Sequence, residues 1–218
     1  MGRWERFAPL TGVVFFVLLV PAFLLGGEPP DADESTTEVL EFWTENDGEL
    51  QLGGVLAALA AFFLLWFTGS LRSVLRAAEG GTGRLSAVAF GGGIVLAGAI
   101  ALAAAIQFAG ADTAGDVPPE VTQTLSVMNA DLFFGFGIGI LALLLATGLV
   151  VIGTGVLPTW LGWVAIVIGI LSVTPAGFIG FLLWIVWTLV ASIVLFLREG
   201  AAGAPPPAAP GTATGSAP

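Results

Sequence analysis

The stretch LQLGGVLAALAAFFLLWFT, residues 50–68, decides the fold class because it contains no charged side chain. As an α-helix rising about 1.5 Å per residue it would be roughly 28 Å long, close to the bilayer's hydrocarbon thickness of about 30 Å. The helix is expected to continue into GSLRSVLRAA, residues 69–78. Further apolar runs lie at about 7–25, 85–109, 130–152, 160–173 and 178–197. The sequence therefore predicts an all-α membrane protein, a bundle of six transmembrane helices over residues 1–198.

Composition supports this class and excludes several kinds of function. Charged residues make up 10% of the chain, against roughly 25% in soluble domains. The chain has no Cys and no His, which excludes thiolate catalysis, thiolate metal sites and His-ligated haem. The net charge is −10, and we expect no nucleic-acid partner, no cofactor and no tight metal site.

The arginines predict the orientation in the membrane. With six spans, all six basic residues fall on one side, which the positive-inside rule assigns to the cytoplasm. Thirteen of the sixteen acids fall on the other side. We therefore expect a multi-pass protein of the cell membrane with both termini cytoplasmic. The arginines are Arg3, Arg6, Arg72, Arg76, Arg84 and Arg198.

The first apolar run could alternatively be a cleaved signal peptide. Its positive start, MGRWER, would suit one,. However, the segment VPAFLLGGEPP, residues 20–30, has no small-x-small cleavage site in the right place. A retained first span is the preferred interpretation.

The first outer loop, residues 26–50, is strongly acidic and has no basic residue. It does not fit a calcium-binding EF-hand, because placing Gly48 at the sixth position puts Trp43 at the first and Gly54 at the twelfth,. An outer loop can be acidic without hindering insertion, and a docking or divalent-ion surface is the alternative. Its carboxylates are Glu28, Asp31, Asp33, Glu34, Glu38, Glu41, Glu45, Asp47 and Glu49.

Within this loop, residues 36–46 are predicted to form a short amphipathic helix on the outer surface. Ser35 and Glu38 have the S-x-x-E spacing of a capping box,. Val39, Leu40 and Trp43 fall on one face,. Because Trp is typical of the headgroup boundary, we expect these three residues to anchor the helix to the outer leaflet.

The centres of the six runs contain no ionisable residue, which disfavours proton pumps, voltage sensors and carriers of charged substrates. Milder polar residues lie near the outer ends of the runs. Gln107, Asn129 and Asp131, joined by Thr174, form a candidate outward-facing polar pocket. The alternative is that Asn129 and Asp131 only cap or hydrate the start of the fourth helix.

Small and aromatic residues recur at helical spacing and predict packing. Glycines at 135 and 139 form a G-x-x-x-G pattern in the fourth run, which favours close helix contact. Phe181, Trp184 and Trp187 form a stripe in the sixth run that is expected to be packed or lipid-facing. In the third run, alanines recur every four residues at Ala97, Ala101, Ala105 and Ala109.

The sequence also resembles a family of six-helix integral membrane proteins that is common in actinobacteria. The resemblance rests on Phe42–Trp43 in the acidic loop, on Leu71, Arg72 and Leu75, and on GVLPTWLGW at 155–163. At position 159 such proteins often have Arg, whereas this chain has Thr159. The resemblance implies the six-helix fold and brings no activity and no catalytic residues.

No catalytic constellation is present, so we expect a protein that is not an enzyme. The preferred interpretation is a protein that binds or organises a component of the cell envelope, with the bilayer and an envelope protein or lipid as partners. A carrier or channel for a small neutral or lipid-like solute is the alternative. The tail, residues 199–218, is rich in Pro, Gly and Ala and is predicted to be disordered in the cytoplasm.

Overall fold

The computed structural model describes residues 5–25, 30 and 34–202. Every regular element in these ranges is a helix. A 3₁₀ helix, Glu5–Leu10, leads into the first of eight α-helices. The α-helices are α1 (Thr11–Leu24), α2 (Thr36–Glu45), α3 (Asp47–Glu79), α4 (Arg84–Thr113), α5 (Pro119–Asp131), α6 (Phe133–Thr154), α7 (Thr159–Leu171) and α8 (Gly177–Ala202).

Five helical segments are long and apolar enough to cross a membrane, and they indicate a multi-pass membrane protein. The fifth predicted run, 160–173, corresponds to α7, which has 13 residues and is therefore only about 20 Å long. Helix α3 continues through residues 69–78, as expected. The five long segments are Phe7–Leu24, Asp47–Glu79, Arg84–Thr113, Pro119–Thr154 and Gly177–Arg198.

The bundle is ordered so that α3 packs against α1 and α4, α4 against α6, α6 against α7, and α8 against α1 and α7. Glycines bring α4 and α6 into backbone contact. A Cβ added at Gly92 would lie 2.5 Å from the Leu143 backbone nitrogen, and one at Gly139 would lie 2.9 Å from the Leu96 Cβ. Close approach through small residues is how helices pack in lipid.

The buried face of α4 differs from the predicted alanine stripe. Ala97 is buried, whereas Ala101, Ala105 and Ala109 are exposed. From Ala97 onward the buried alanines recur every seven residues, as Ala97, Ala104 and Ala111, and Ala89 nearer the start of α4 is also buried. Seven residues make nearly two turns of 3.6 residues each, so side chains at this spacing stay on one face of the helix. Side chains spaced by four residues drift around it.

The two ends of the bundle carry opposite charge. We call the arginine end the one where Arg72, Arg76, Arg84 and Arg198 lie. There the Glu79 carboxylate accepts hydrogen bonds of 2.8 Å from the backbone N–H groups of Leu85 and Ser86, which closes the α3–α4 turn. We call the other one the acidic end; its described carboxylates are Glu34, Glu38, Glu41, Glu45, Asp47, Glu49, Asp112, Asp116, Glu120 and Asp131.

Two predicted segments fall partly beyond the described chain. Glu28, Asp31 and Asp33 of the acidic loop lie outside the described residues. The tail predicted to be disordered from residue 199 begins inside α8, which continues to Ala202, and residues 203–218 lie outside the described residues.

Candidate functional site

A cavity of about 750 Å³ lies at the acidic end of the bundle. Its walls come from α1, α3, α4, α6 and α8, and residues of α2 and α5 complete it. A phenylalanine cluster from three helices forms the apolar wall, with neighbouring ring centroids 5.3–6.1 Å apart. These rings are Phe23 of α1, Phe133 and Phe136 of α6, and Phe178 and Phe181 of α8.

Four neutral polar side chains line the same cavity. Gln107 of α4 donates a 3.0 Å hydrogen bond from Nε2 to the Leu50 carbonyl oxygen, which joins α4 to the start of α3. The other three, Gln123, Ser126 and Asn129, recur every three residues along one side of α5. The side chains of Ser126 and Asn129 make no hydrogen bond with the residues that the structure describes. They are therefore free to bond a ligand or water.

Trp43 of α2 also lines the cavity and is 2% exposed. Its six-membered ring lies over Gly110 of α4, where an added Cβ would be 2.5 Å from Cζ3. The indole Nε1 is buried and has no hydrogen-bond partner among the described residues. An unpaired buried N–H is costly, so this donor needs an acceptor that the described residues do not supply.

The apolar face of α2 packs on the protein, which differs from the expected direct contact with lipid. Val39 and Trp43 are buried in a cluster with Leu50 of α3 and Ala111 of α4, and Leu40 is half-buried. The physical reason is the short connection from α2 to α3, together with the space that Gly110 leaves for the indole.

The predicted capping box of α2 is present. Ser35 donates from its backbone nitrogen and its hydroxyl to the Glu38 carboxylate, and the Glu38 N–H donates back to the Ser35 hydroxyl. The hydrogen bond from the Ser35 side chain, with that from its backbone, lowers the pKa of Glu38 below its ordinary value.

The structure brings together two of the four predicted pocket residues. Gln107 and Asn129 line the cavity. Asp131 is exposed and does not line it. Thr174 is also exposed, and its hydroxyl donates to the Leu171 carbonyl oxygen.

Sequence reasoning missed Gln123, Ser126 and the phenylalanine wall. The three-residue spacing of polar side chains in residues 119–131 was an available local signal for the first two. The wall had no such signal, because its rings come from three helices that are far apart in the chain.

The described lining of the cavity is uncharged. No ionisable side chain lines it in the described part of the chain. Across residues 5–25, 30 and 34–202, no group of three or more His, Cys, Asp or Glu side chains could hold a metal ion. The arrangement can hold an apolar molecule with a small polar group.

No protein-family model, curated protein or solved structure matches this chain.

Proposed function

We propose that this chain is a plasma-membrane protein with six crossings, made by α1, α3, α4, α6, α7 and α8. Both termini are cytoplasmic and the acidic end faces outward. The support is the separation of charge, because arginines favour the cytoplasmic side. In this arrangement α2 lies on the outer face and covers the bundle.

The proposal that α7 crosses the membrane is supported by its pairing with α8. Arg198 near the end of α8 donates to the Val156 carbonyl oxygen, and Trp187 donates to the Leu161 carbonyl oxygen at 3.1 Å. At the other end, a Cβ at Gly180 would lie 2.7 Å from the Ser172 nitrogen. The segment 156–172 therefore lies alongside residues 180–198 of α8. These 18 residue steps correspond to about 27 Å of helix.

The proposed activity is binding of an amphiphilic, membrane-soluble ligand at the acidic end, without catalysis. The observation that carries it is the cavity of about 750 Å³, which is within the roughly 300–1,000 Å³ of ordinary ligand sites. Its phenylalanine wall suits an apolar chain, and its four amide and hydroxyl side chains suit a small head group. This is a binding role in the cell envelope with a lipid-like partner.

Filling the cavity should remove the ligand. Ala103 of α4 lines the cavity, whereas Ala105 of the same helix is exposed and does not. We expect Ala103→Phe to lose a lipid species that copurifies with the wild type, because the new ring occupies its volume. Ala105→Phe is the matched control and should keep it. Mass spectrometry of lipids extracted from protein purified in mild detergent measures the difference.

The opposite outcome would contradict the proposal. If every lipid enriched with the wild type is enriched to the same extent with Ala103→Phe, the cavity is not the binding site.

A carrier is the second candidate, and the break between α5 and α6 favours it. Leu132 separates the two helices. Residues on both sides of the break, Asn129 and Phe133, line the cavity. A change of angle at Leu132 would therefore reshape the site. Solute flux in proteoliposomes separates a carrier from a protein that only binds.

A further inference from the structure

The charge around the cavity restricts the head group of its ligand. The sequence has no basic residue between positions 7 and 71 or between 85 and 197, and all described lining residues fall in these two stretches. A phosphate in the cavity would be buried without a counter-charge, which is unfavourable. It would also lie at the same end of the bundle as the described carboxylates.

A cationic head group is disfavoured by the same lining. Of the residues that the structure describes, no Asp or Glu lines the cavity, so a buried ammonium group would find no ion-pair partner. The head group that fits the cavity is therefore uncharged.

The hydrogen-bonding groups of the cavity narrow the class further. The indole N–H of Trp43 can only donate, and it is buried without a partner among the described residues. That nitrogen exposes less than 1 Å² of surface, so it is closed to a ligand in the cavity. Ser126 and Asn129 can both donate and accept, which suits hydroxyl groups.

The apolar wall defines the rest of the ligand. The lining continues along α1 from Leu24 at the acidic end to Leu19, and along α8 to Phe181. Leu19 and Phe181 belong to the main hydrophobic core. An apolar chain entering from the polar side would therefore extend into the interior of the bundle.

We propose that the cavity binds an uncharged single-chain amphiphile, such as a monoacylglycerol, whose head-group hydroxyls hydrogen-bond to Ser126 and Asn129 of α5. This inference rests on the proposed binding function and names its ligand class. The acyl chain lies against Phe23, Phe178 and Phe181. The carboxylates of the acidic end select against anionic lipids.

The test is photo-crosslinking in phosphatidylcholine nanodiscs with a diazirine-bearing monoacylglycerol. Cross-links are mapped by mass spectrometry and then competed with three lipids that share one oleoyl chain: monooleoylglycerol, lysophosphatidylglycerol and oleoylcholine. We expect cross-links at cavity residues, and monooleoylglycerol should compete at about tenfold lower concentration than either charged lipid. Equal or better competition by a charged lipid overturns the inference.

The inference and the proposed function fail in different ways. If a charged lipid is the better competitor and Ala103→Phe removes its binding, the cavity is a ligand site and only the ligand class is wrong. If Ala103→Phe leaves every cross-link of the wild type unchanged, the proposed function fails, and the inference fails with it.

Discussion

At the scale of single residues, α2 is held by a capping box at its start and by the packing of Trp43 on Gly110. The capping box of Ser35 and Glu38 was readable because both partners lie within one helical turn. The position of Trp43 was not, since it depends on Gly110, which lacks a side chain at the point where the indole packs. An amphipathic helix with a Trp on its apolar face fits a lipid surface and a protein surface equally well.

The cap of α2 should make its first turn sensitive to acid. Hydrogen bonds from Ser35 lower the pKa of Glu38 in the folded state. Their stabilisation is therefore fully present above the ordinary pKa of a glutamate and is lost as the pH falls through the lowered value. We expect the amides at the start of α2 to lose hydrogen-exchange protection over that acidic range, after correction for intrinsic exchange.

Glu38→Gln should abolish this pH dependence because its amide does not titrate. The matched control is Glu41→Gln on the same helix, which lies outside the capping box and should retain the dependence. If the first turn of α2 in the wild type is equally protected in acid and at neutral pH, the cap contributes nothing to the stability of α2.

At the scale of elements, hydropathy predicted where the long helices lie but not how they divide or face each other. The fourth run was expected to begin near residue 130, whereas the structure has a separate α5, Pro119–Asp131, and a break before Phe133. No Pro or Gly marks this break in the sequence. The buried face of α4 was also misassigned, because alanines are frequent on all of its sides.

The contact between α4 and α6 should be sensitive to a single methyl group. A Cβ at Gly92 would meet the backbone of α6, whereas one at Gly98 of the same helix would meet nothing within 4 Å. We expect Gly92→Ala to destabilise the bundle by about 1–3 kcal/mol, the usual cost of overpacking. Gly98→Ala should be neutral or stabilising by up to about 1 kcal/mol, because Ala favours a helix.

Thermal unfolding in detergent, followed by circular dichroism, compares the two variants under identical conditions. An unchanged midpoint for Gly92→Ala would mean that α4 and α6 are not in backbone contact.

At the scale of the whole molecule, the separation of charge could be predicted from the sequence, whereas the cavity could not. Six arginines and sixteen acids can be assigned to sides by counting spans. A cavity lined from seven helices depends on tertiary packing, and only Gln107 and Asn129 of its lining residues were picked out as pocket candidates beforehand. The proposed function depends on both features, because a ligand site at the acidic end lies on the outer side of the membrane only if that end faces outward.

The most direct test of this account is the sidedness of the two ends in intact cells. The chain has no native cysteine, so single cysteines can be introduced at Asp116 of the acidic end and at Thr82 of the arginine end, both in turns. A membrane-impermeant maleimide should label Asp116→Cys in intact cells and Thr82→Cys only after lysis. Labelling of Thr82→Cys in intact cells, or of Asp116→Cys only after lysis, would contradict the account.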